Sequence, residues 1–207
     1  PVFRVPGAVT VVHLRDFGAT VVGVGWGAYE DMRPETARAL TGYCQVSDMG
    51  NYDHVLKATA HLISRVGKLD RIVSQEEHWI DLEAQLRLDF NVPGKKPDEI
   101  RPIRHKSIMK ATFRRASVPV ADGELASDAE AGRAFAARVG YPVIAKPDKG
   151  VGAHATYKLS SDGHMEDFFR HKTPGVPYIL EEYLDGYIQS FDGLTDRDGN
   201  IVFFTSH

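Results

Sequence analysis

The spacing of apolar positions changes repeatedly through the first half of the chain. Pro6 to Phe17 suits a helix that opens at a proline and stops at Gly18. Ala19-Thr-Val-Val-Gly-Val24 is a continuous apolar run of the kind a buried strand carries. Pro34 to Leu40 reads as a helix, Tyr43 to Val46 as a strand, and Asn51 to Val66 as an amphipathic helix closed by Gly67. Arg71-Ile-Val-Ser74 reads as a strand and Trp79 to Leu88 as a further helix. Strands that alternate with helices predict an α/β domain, a parallel sheet with helices on its faces. Ligands on such sheets gather at the carboxyl ends of strands.

Asn91-Val-Pro-Gly-Lys-Lys-Pro-Asp98, rich in turn formers and charge, marks a linker. Beyond it the pattern predicts a helix over Ile103 to Ala116, carrying Lys106 and Lys110 as lysines of an exposed helix. Ser127 is placed to cap the next helix, and Gly140 to end it. Pro142-Val-Ile-Ala145 and Ala155-Thr-Tyr-Lys-Leu159 are short strands. A second apolar segment, Tyr178-Ile-Leu-Glu181-Glu182-Tyr183-Leu184, runs into an Asp185-Gly186 turn, and Asn200-Ile-Val-Phe-Phe-Thr205 reads as a strand within a sheet.

A length of 207 residues suits one or two domains with a sizeable core. A formal net charge of −3 gives no electrostatic case for nucleic acid or an anionic membrane. The apolar segment Ala8 to Leu14 is soon interrupted by Arg15 and Asp16, so no membrane span is expected. Cys44 is the only cysteine and cannot form an internal disulfide, which favours a reducing, cytoplasmic setting; its place in a predicted strand reads as a core thiol. His54 and His61 share one helical face and read as surface or half-buried histidines. No His/Cys/Asp cluster has zinc-ligand spacing, and there is no Gly-x-Ser-x-Gly elbow.

The densest chemistry lies in Gly140-Tyr-Pro-Val-Ile-Ala-Lys146-Pro-Asp-Lys149-Gly150-Val-Gly152-Ala153-His154-Ala-Thr-Tyr-Lys158. It reads as a strand ending in a lysine, a glycine loop, then another strand. Backbone N–H groups without a Cβ can approach polyphosphate oxygens closely, and lysine adds a point charge. A dinucleotide fingerprint would need a helix to open after the glycines, and a strand follows instead. A Walker A loop would need Gly-Lys-Ser/Thr, which is absent. An ordinary glycine hairpin with a solvated lysine stays open as the plain alternative. In the second segment, a buried strand that breaks at Glu181-Glu182 exposes backbone groups able to pair with an adenine edge. Strand alternation sends these two side chains to opposite faces, with Glu181 expected inward. Two strand ends in the first half are also candidates. Gly23-Val-Gly25-Trp-Gly27 could admit a substrate or merely turn the chain. Ser74-Gln-Glu-Glu77-His78 is a capping box for the next helix or a pair of carboxylates for a substrate amine.

Taken in order, His105-Lys106 opening a helix, Ala116-Ser-Val-Pro119-Val closing it, Gly140 to Lys146, the glycine loop, Glu181-Glu-Tyr-Leu184 and Asp198-Gly-Asn200-Ile-Val resemble the ATP-grasp superfamily, in its biotin carboxylase and carbamoyl-phosphate synthase branch. The resemblance covers about residues 104–207. It implies a Rossmann-like pre-ATP-grasp domain over residues 1–103, followed by an incomplete α+β ATP-grasp domain with its lid subdomain over 104–177 and the truncated start of its second subdomain over 178–207. It implies ATP and Mg2+ as cofactors. The nucleotide would be held by Lys106, Lys146, Lys149, Gly150, Gly152, Ala153, His154, Glu181, Glu182, Tyr183 and Leu184, with catalytic residues unassigned. His105 stands where the family usually has Asp. Tyr187-Ile188 stands where many members place a ribose-binding acid; Asp185 and Asp192 are candidate substitutes, but read first as a turn aspartate and a strand-edge aspartate.

The implied reaction is ATP-dependent ligation of a small carboxylate, or bicarbonate, with an amine through an acyl phosphate, in a protein that could work as a homodimer. A non-catalytic nucleotide-binding regulator or scaffold is the alternative, and an α/β protein binding a different anion is another. The family's magnesium carboxylates would lie further on, and no glutamate follows Glu182. No strand is read ahead of Pro6. The expectation is a fragment of a longer enzyme that does not turn over alone.

Overall fold

The computed structural model describes residues 5–74, 76–150, 155–196 and 198–207. They form two compact units, Pro1–Met109 with Lys149–Gly152 and Lys110–Asp148 with Ala153–His207.

The first unit runs through α1 (Val5–Asp16), β1 (Val22–Gly25), α2 (Pro34–Ala39), β2 (Gly42–Gln45), α3 (Tyr52–Val66), α4 (Ile80–Asp89), α5 (Pro97–Arg104) and the first turn of α6 (Lys106–Arg115). β1 and β2 are parallel, with Val22 opposite Gly42 and Gly25 opposite Gln45, as the strand–helix alternation predicts. The Asn51 side chain accepts from the Asp53 and His54 N–H groups to start α3, and Gly67, at φ 86°, stops it. α3 buries Val55, Ala58, Thr59 and Leu62. Val46, Val55, Ala58 and Leu86 make the core, with Cys44 and Val24 packed against it, so Cys44 is the core thiol expected. Among the described residues, no helix is long and apolar enough to cross a membrane.

Four local expectations are corrected. Arg71–Ser74 joins no sheet, because α4 takes its backbone groups. Arg87 Nε donates to the Ile72 carbonyl at 2.9 Å, and the Ser74 N–H donates to the Glu83 carboxylate. Ser74 forms no capping box with Glu77; its hydroxyl donates to the Glu76 carbonyl instead. The linker is shorter than expected, since Pro97 starts α5, and the expected single helix over Ile103 to Ala116 is broken at His105, whose backbone is extended at φ −102°, ψ 114°.

The second unit contains the rest of α6, then β3 (Gly123–Ala126), α7 (Ala129–Val139), β4 (Val143–Pro147), β5 (Tyr157–Leu159), α8 (Asp162–His171), β6 (Tyr178–Glu182), β7 (Phe191–Thr195) and β8 (Ile201–Ser206). β3, β6, β4 and β5 form one antiparallel sheet in that order, so the segment on either side of the glycine loop is the hairpin expected. Residues of α7 and α8 pack on one face of this sheet, where Phe135, Ala136, Met165 and Phe168 meet Val143, Ala145, Leu159, Tyr178 and Leu180.

α7 is capped by Asp128, not Ser127: the Asp128 carboxylate accepts from the Ala131 N–H at 2.9 Å, while Ser127 donates to Asp128. Gly140 ends the helix at φ 86°, as expected. The strand read near Asn200–Thr205 is β8, but it does not lie within a larger sheet. Among the described residues it pairs with β7 alone, and both strands are exposed throughout. Its apolar composition carries the signature of a buried strand although no described element covers it.

Candidate functional site

Strand alternation gives the four-stranded sheet two faces. Val143, Ala145, Tyr178 and Leu180 turn toward α7 and α8. Ile144 lies opposite both Lys158 and Glu181, and Lys146 lies opposite Ile179, so these five residues share the other face. At its centre is Glu181, whose side chain is only 10% exposed. One carboxylate oxygen is 3.1 Å from Lys110 Nζ and the other 2.5 Å from Lys146 Nζ. Lys110 also donates to the Ala121 carbonyl at 2.8 Å. A buried carboxylate requires cationic or hydrogen-bonding partners, and Glu181 has two ammonium groups. The cluster therefore carries a surplus positive charge, with Lys146 its more exposed end.

Gly123 of β3 faces Glu181, and a Cβ there would lie 3.1 Å from Glu181 Cγ and 3.2 Å from Lys110 Cε. A glycine at this position lets the strand pass so close to the pair. Lys110 is the residue that sequence reasoning missed. Its sequence surroundings are those of a solvated helix lysine, yet it is 8% exposed, and its spacing of one helical turn from Lys106 is the one hint in the chain.

Glu181 and Glu182 point to opposite faces, as alternation requires. The Glu182 carboxylate accepts from the Asp122 N–H at 2.8 Å, and its own N–H donates to the Asp122 carbonyl at 3.0 Å. Its N–H is thus committed to the β3 side. Tyr183 and Leu184 follow the strand with exposed side chains, and Lys158 Nζ stands 4.0 Å from the centre of the Tyr183 ring. A cavity of about 520 Å³ lies elsewhere in this unit, lined by Tyr157, Lys158, His164, Phe168 and His171 among others.

In the first unit, the root of the glycine loop is tied to the α5–α6 junction. His105 and Lys149 form an antiparallel bridge, and Lys106 Nζ donates to the Gly150 carbonyl at 3.3 Å. Lys149 Nζ is 2.8 Å from Asp81, which also meets the buried Arg104 at 3.4 Å. Burial raises the Asp81 pKa, but Lys149, then Arg104, outweigh it and hold the carboxyl below its usual range. Lys106, Lys149 and Gly150 thus lie together in this unit, and Lys146 and Glu181 through Leu184 in the second. Gly152, Ala153 and His154 lie outside the described residues.

The other candidates are local structure. The Tyr43 hydroxyl donates to the Gly27 carbonyl at 2.7 Å and Gln45 Nε2 to the Trp26 carbonyl at 2.9 Å, which fits the turn reading of Gly23–Gly27. Glu77 meets Arg104 at 3.5 Å. His54 is half-buried beside Ser47, and Asp192 pairs with His207 at 3.5 Å. Among the described residues, no group of three or more His, Cys, Asp or Glu is placed to hold a metal ion.

Residues 105–206 match the family described as the carbamoyl-phosphate synthase L chain, ATP binding domain. These residues belong to the ATP-grasp superfamily. The L-arginine-specific L-amino acid ligase of Bacillus subtilis is 33% identical over 115 residues, 56% of this chain and 28% of that protein. Among solved structures, the biotin carboxylase domain dimer of Hydrogenobacter thermophilus 2-oxoglutarate carboxylase, in complex with MgADP, ADP and bicarbonate, aligns at a TM-score of 0.75. It is 19% identical, over 94% of this chain and 46% of that one. The L-amino acid ligase of Bacillus licheniformis aligns at 0.69 and 12% identity, over 94% of this chain and 46% of that one. The chain thus spans less than half the length of these proteins, and at these identities the structural likeness concerns the fold. Within the matched region, β4 and β5, which flank the glycine loop in sequence, share one sheet with the β6 strand that carries Glu181, and Lys110 reaches Glu181 from α6.

Proposed function

We propose that this chain is the nucleotide-binding part of an ATP-dependent carboxylate–amine ligase. The observation that carries the reading is the surplus positive charge on the sheet face turned away from α7 and α8, where the partly exposed Lys146, just ahead of the glycine loop in sequence, meets a buried Glu181 shared with Lys110. A half-buried cation without full compensation is an anion site, and the phosphates of a nucleotide are the anion that an ATP binding domain takes. Lys146 then positions and neutralises phosphate oxygens, which is catalysis by preorganised charge. Lys106, Lys149 and Gly150 are assigned to the same phosphates by the resemblance. With the Glu182 N–H committed to Asp122, the base is held by the backbone that follows, at Tyr183 and Leu184.

In the reaction, a phosphoryl group passes to a carboxylate, and an amine displaces phosphate from the resulting acyl phosphate. Similarity to the L-arginine-specific L-amino acid ligase of Bacillus subtilis supports an amino acid, in place of bicarbonate, as the carboxylate of this reading. Magnesium would assist by neutralising phosphate charge. Residues 1–103 serve as a Rossmann-like pre-ATP-grasp domain, 104–177 as the lid and 178–207 as the start of the second subdomain.

The test is calorimetric titration of residues 1–207 with ATP, ADP and inorganic phosphate, and an assay of phosphate release by the full-length protein over panels of amino acids and bicarbonate. Adenine nucleotide should bind the chain, and amino acids should drive release by the full-length protein. Binding of phosphate with no preference for the nucleotide would overturn the reading.

A further inference from the structure

Glu181 is one buried carboxylate divided between two lysines, and the two do different work. Lys110 is fixed on every side. Its ammonium donates to the Ala121 carbonyl at 2.8 Å and meets Glu181 at 3.1 Å, and its Cε passes so close to Gly123 that a Cβ there would stand 3.2 Å away. Lys146 holds the other oxygen at 2.5 Å, with a side chain 28% exposed against 11% for Lys110.

We propose that Lys110 is a positioning residue that keeps Lys146 available to phosphate. The inference rests on the nucleotide reading and extends it to a residue that touches no ligand. A carboxylate as buried as Glu181 needs a cation at all times. With Lys110 on one oxygen, Lys146 can leave the other for an incoming phosphate, and Glu181 stays paired. Without Lys110, the same departure strands a buried carboxylate. Lys146 would then be locked on Glu181, and every binding event would carry the penalty of stripping it. The effect is thus on affinity, transmitted through Glu181, and it vanishes when position 181 is neutral.

The experiment is calorimetric titration of the full-length protein with ATP, comparing wild type, Lys110→Met, Lys110→Arg and the double variant Lys110→Met/Glu181→Gln. Lys110→Met should weaken ATP by about tenfold or more. Lys110→Arg, which keeps the charge, should stay within about threefold of wild type. The double variant should recover most of the lost affinity, because a neutral amide at position 181 no longer holds Lys146. In turnover, Lys110→Met should raise KM for ATP more than it lowers kcat. A Lys110→Met protein that binds ATP like wild type overturns the proposal. So does a double variant no better than the single one, the result expected if Lys110 only supports folding. A wild type that binds no ATP overturns the nucleotide reading itself, which separates the two failures.

Discussion

Gly123 offers the sharpest test of how the sheet builds the site. Replacing it with alanine adds one methyl group 3.1 Å from Glu181 Cγ, 3.1 Å from the Leu180 carbonyl oxygen and 3.2 Å from Lys110 Cε. None of the three can retreat easily. The Leu180 carbonyl belongs to the inner strand β6, and the other two atoms belong to a buried ion pair. Overpacking of this kind costs about 1–3 kcal/mol. Stiffening the unfolded chain returns about 0.4–1 kcal/mol. The net is a loss of about 1–2 kcal/mol, or about 2–8 °C in Tm for a chain of this size. Gly163, in α8, is the matched control: its nearest foreign atom is Ser161 Oγ at 3.8 Å. With no clash to offset it, Gly163→Ala should gain about 0.4–1 kcal/mol. Calorimetric melts should therefore move in opposite directions. ATP affinity should fall in Gly123→Ala alone, since its methyl presses on the atoms that hold Lys146. Two variants that melt alike and bind ATP alike would refute the packing argument and the link from Gly123 to the site.

Lys146→Ala should cost about 2–4 kcal/mol in transition-state stabilisation, visible as a loss in kcat/KM. Lys158→Ala, on the same face but over the Tyr183 ring, should lose less, and equal losses would reject Lys146 as the phosphate lysine. Asp128→Ala should lower the urea midpoint, while Ser127→Ala should leave it near wild type; the reverse order would restore Ser127 as the cap of α7. The Tyr141 hydroxyl donates to Asp162 at 2.7 Å, and burial, then that carboxylate, pushes the phenol up from 10.0 to about 12. A raised phenol pKa means stability that is present below the unfolded value and lost as pH rises through the folded one. Tyr141→Phe should thus flatten the alkaline loss of stability between about pH 10 and 12, and an unchanged slope in urea midpoints against pH would exclude the coupling.

What could be read from the sequence was whatever neighbouring residues decide among themselves. Asn51 and Gly67 bracket α3, Gly140 stops α7, and a lysine-ended strand leads through glycines into a second strand. Caps, turns and alternation act over a few residues, so their signals survive in one dimension. The same holds for the parting of Glu181 from Glu182. What tertiary structure alone decided was the partner of each charge and of each strand edge. Arg71–Ser74 has the composition of a strand, but Glu83 and Arg87 reach back from α4 and take the hydrogen bonds a neighbouring strand would need. Lys110 has the sequence surroundings of a solvated lysine. It is buried because β3 pairs with β6 in the register that puts Gly123 opposite Glu181, which brings a carboxylate and the Ala121 carbonyl within reach of its ammonium. Charge pairing depends on distance through space, and distance through space is set by strand register, which no local pattern in the chain records.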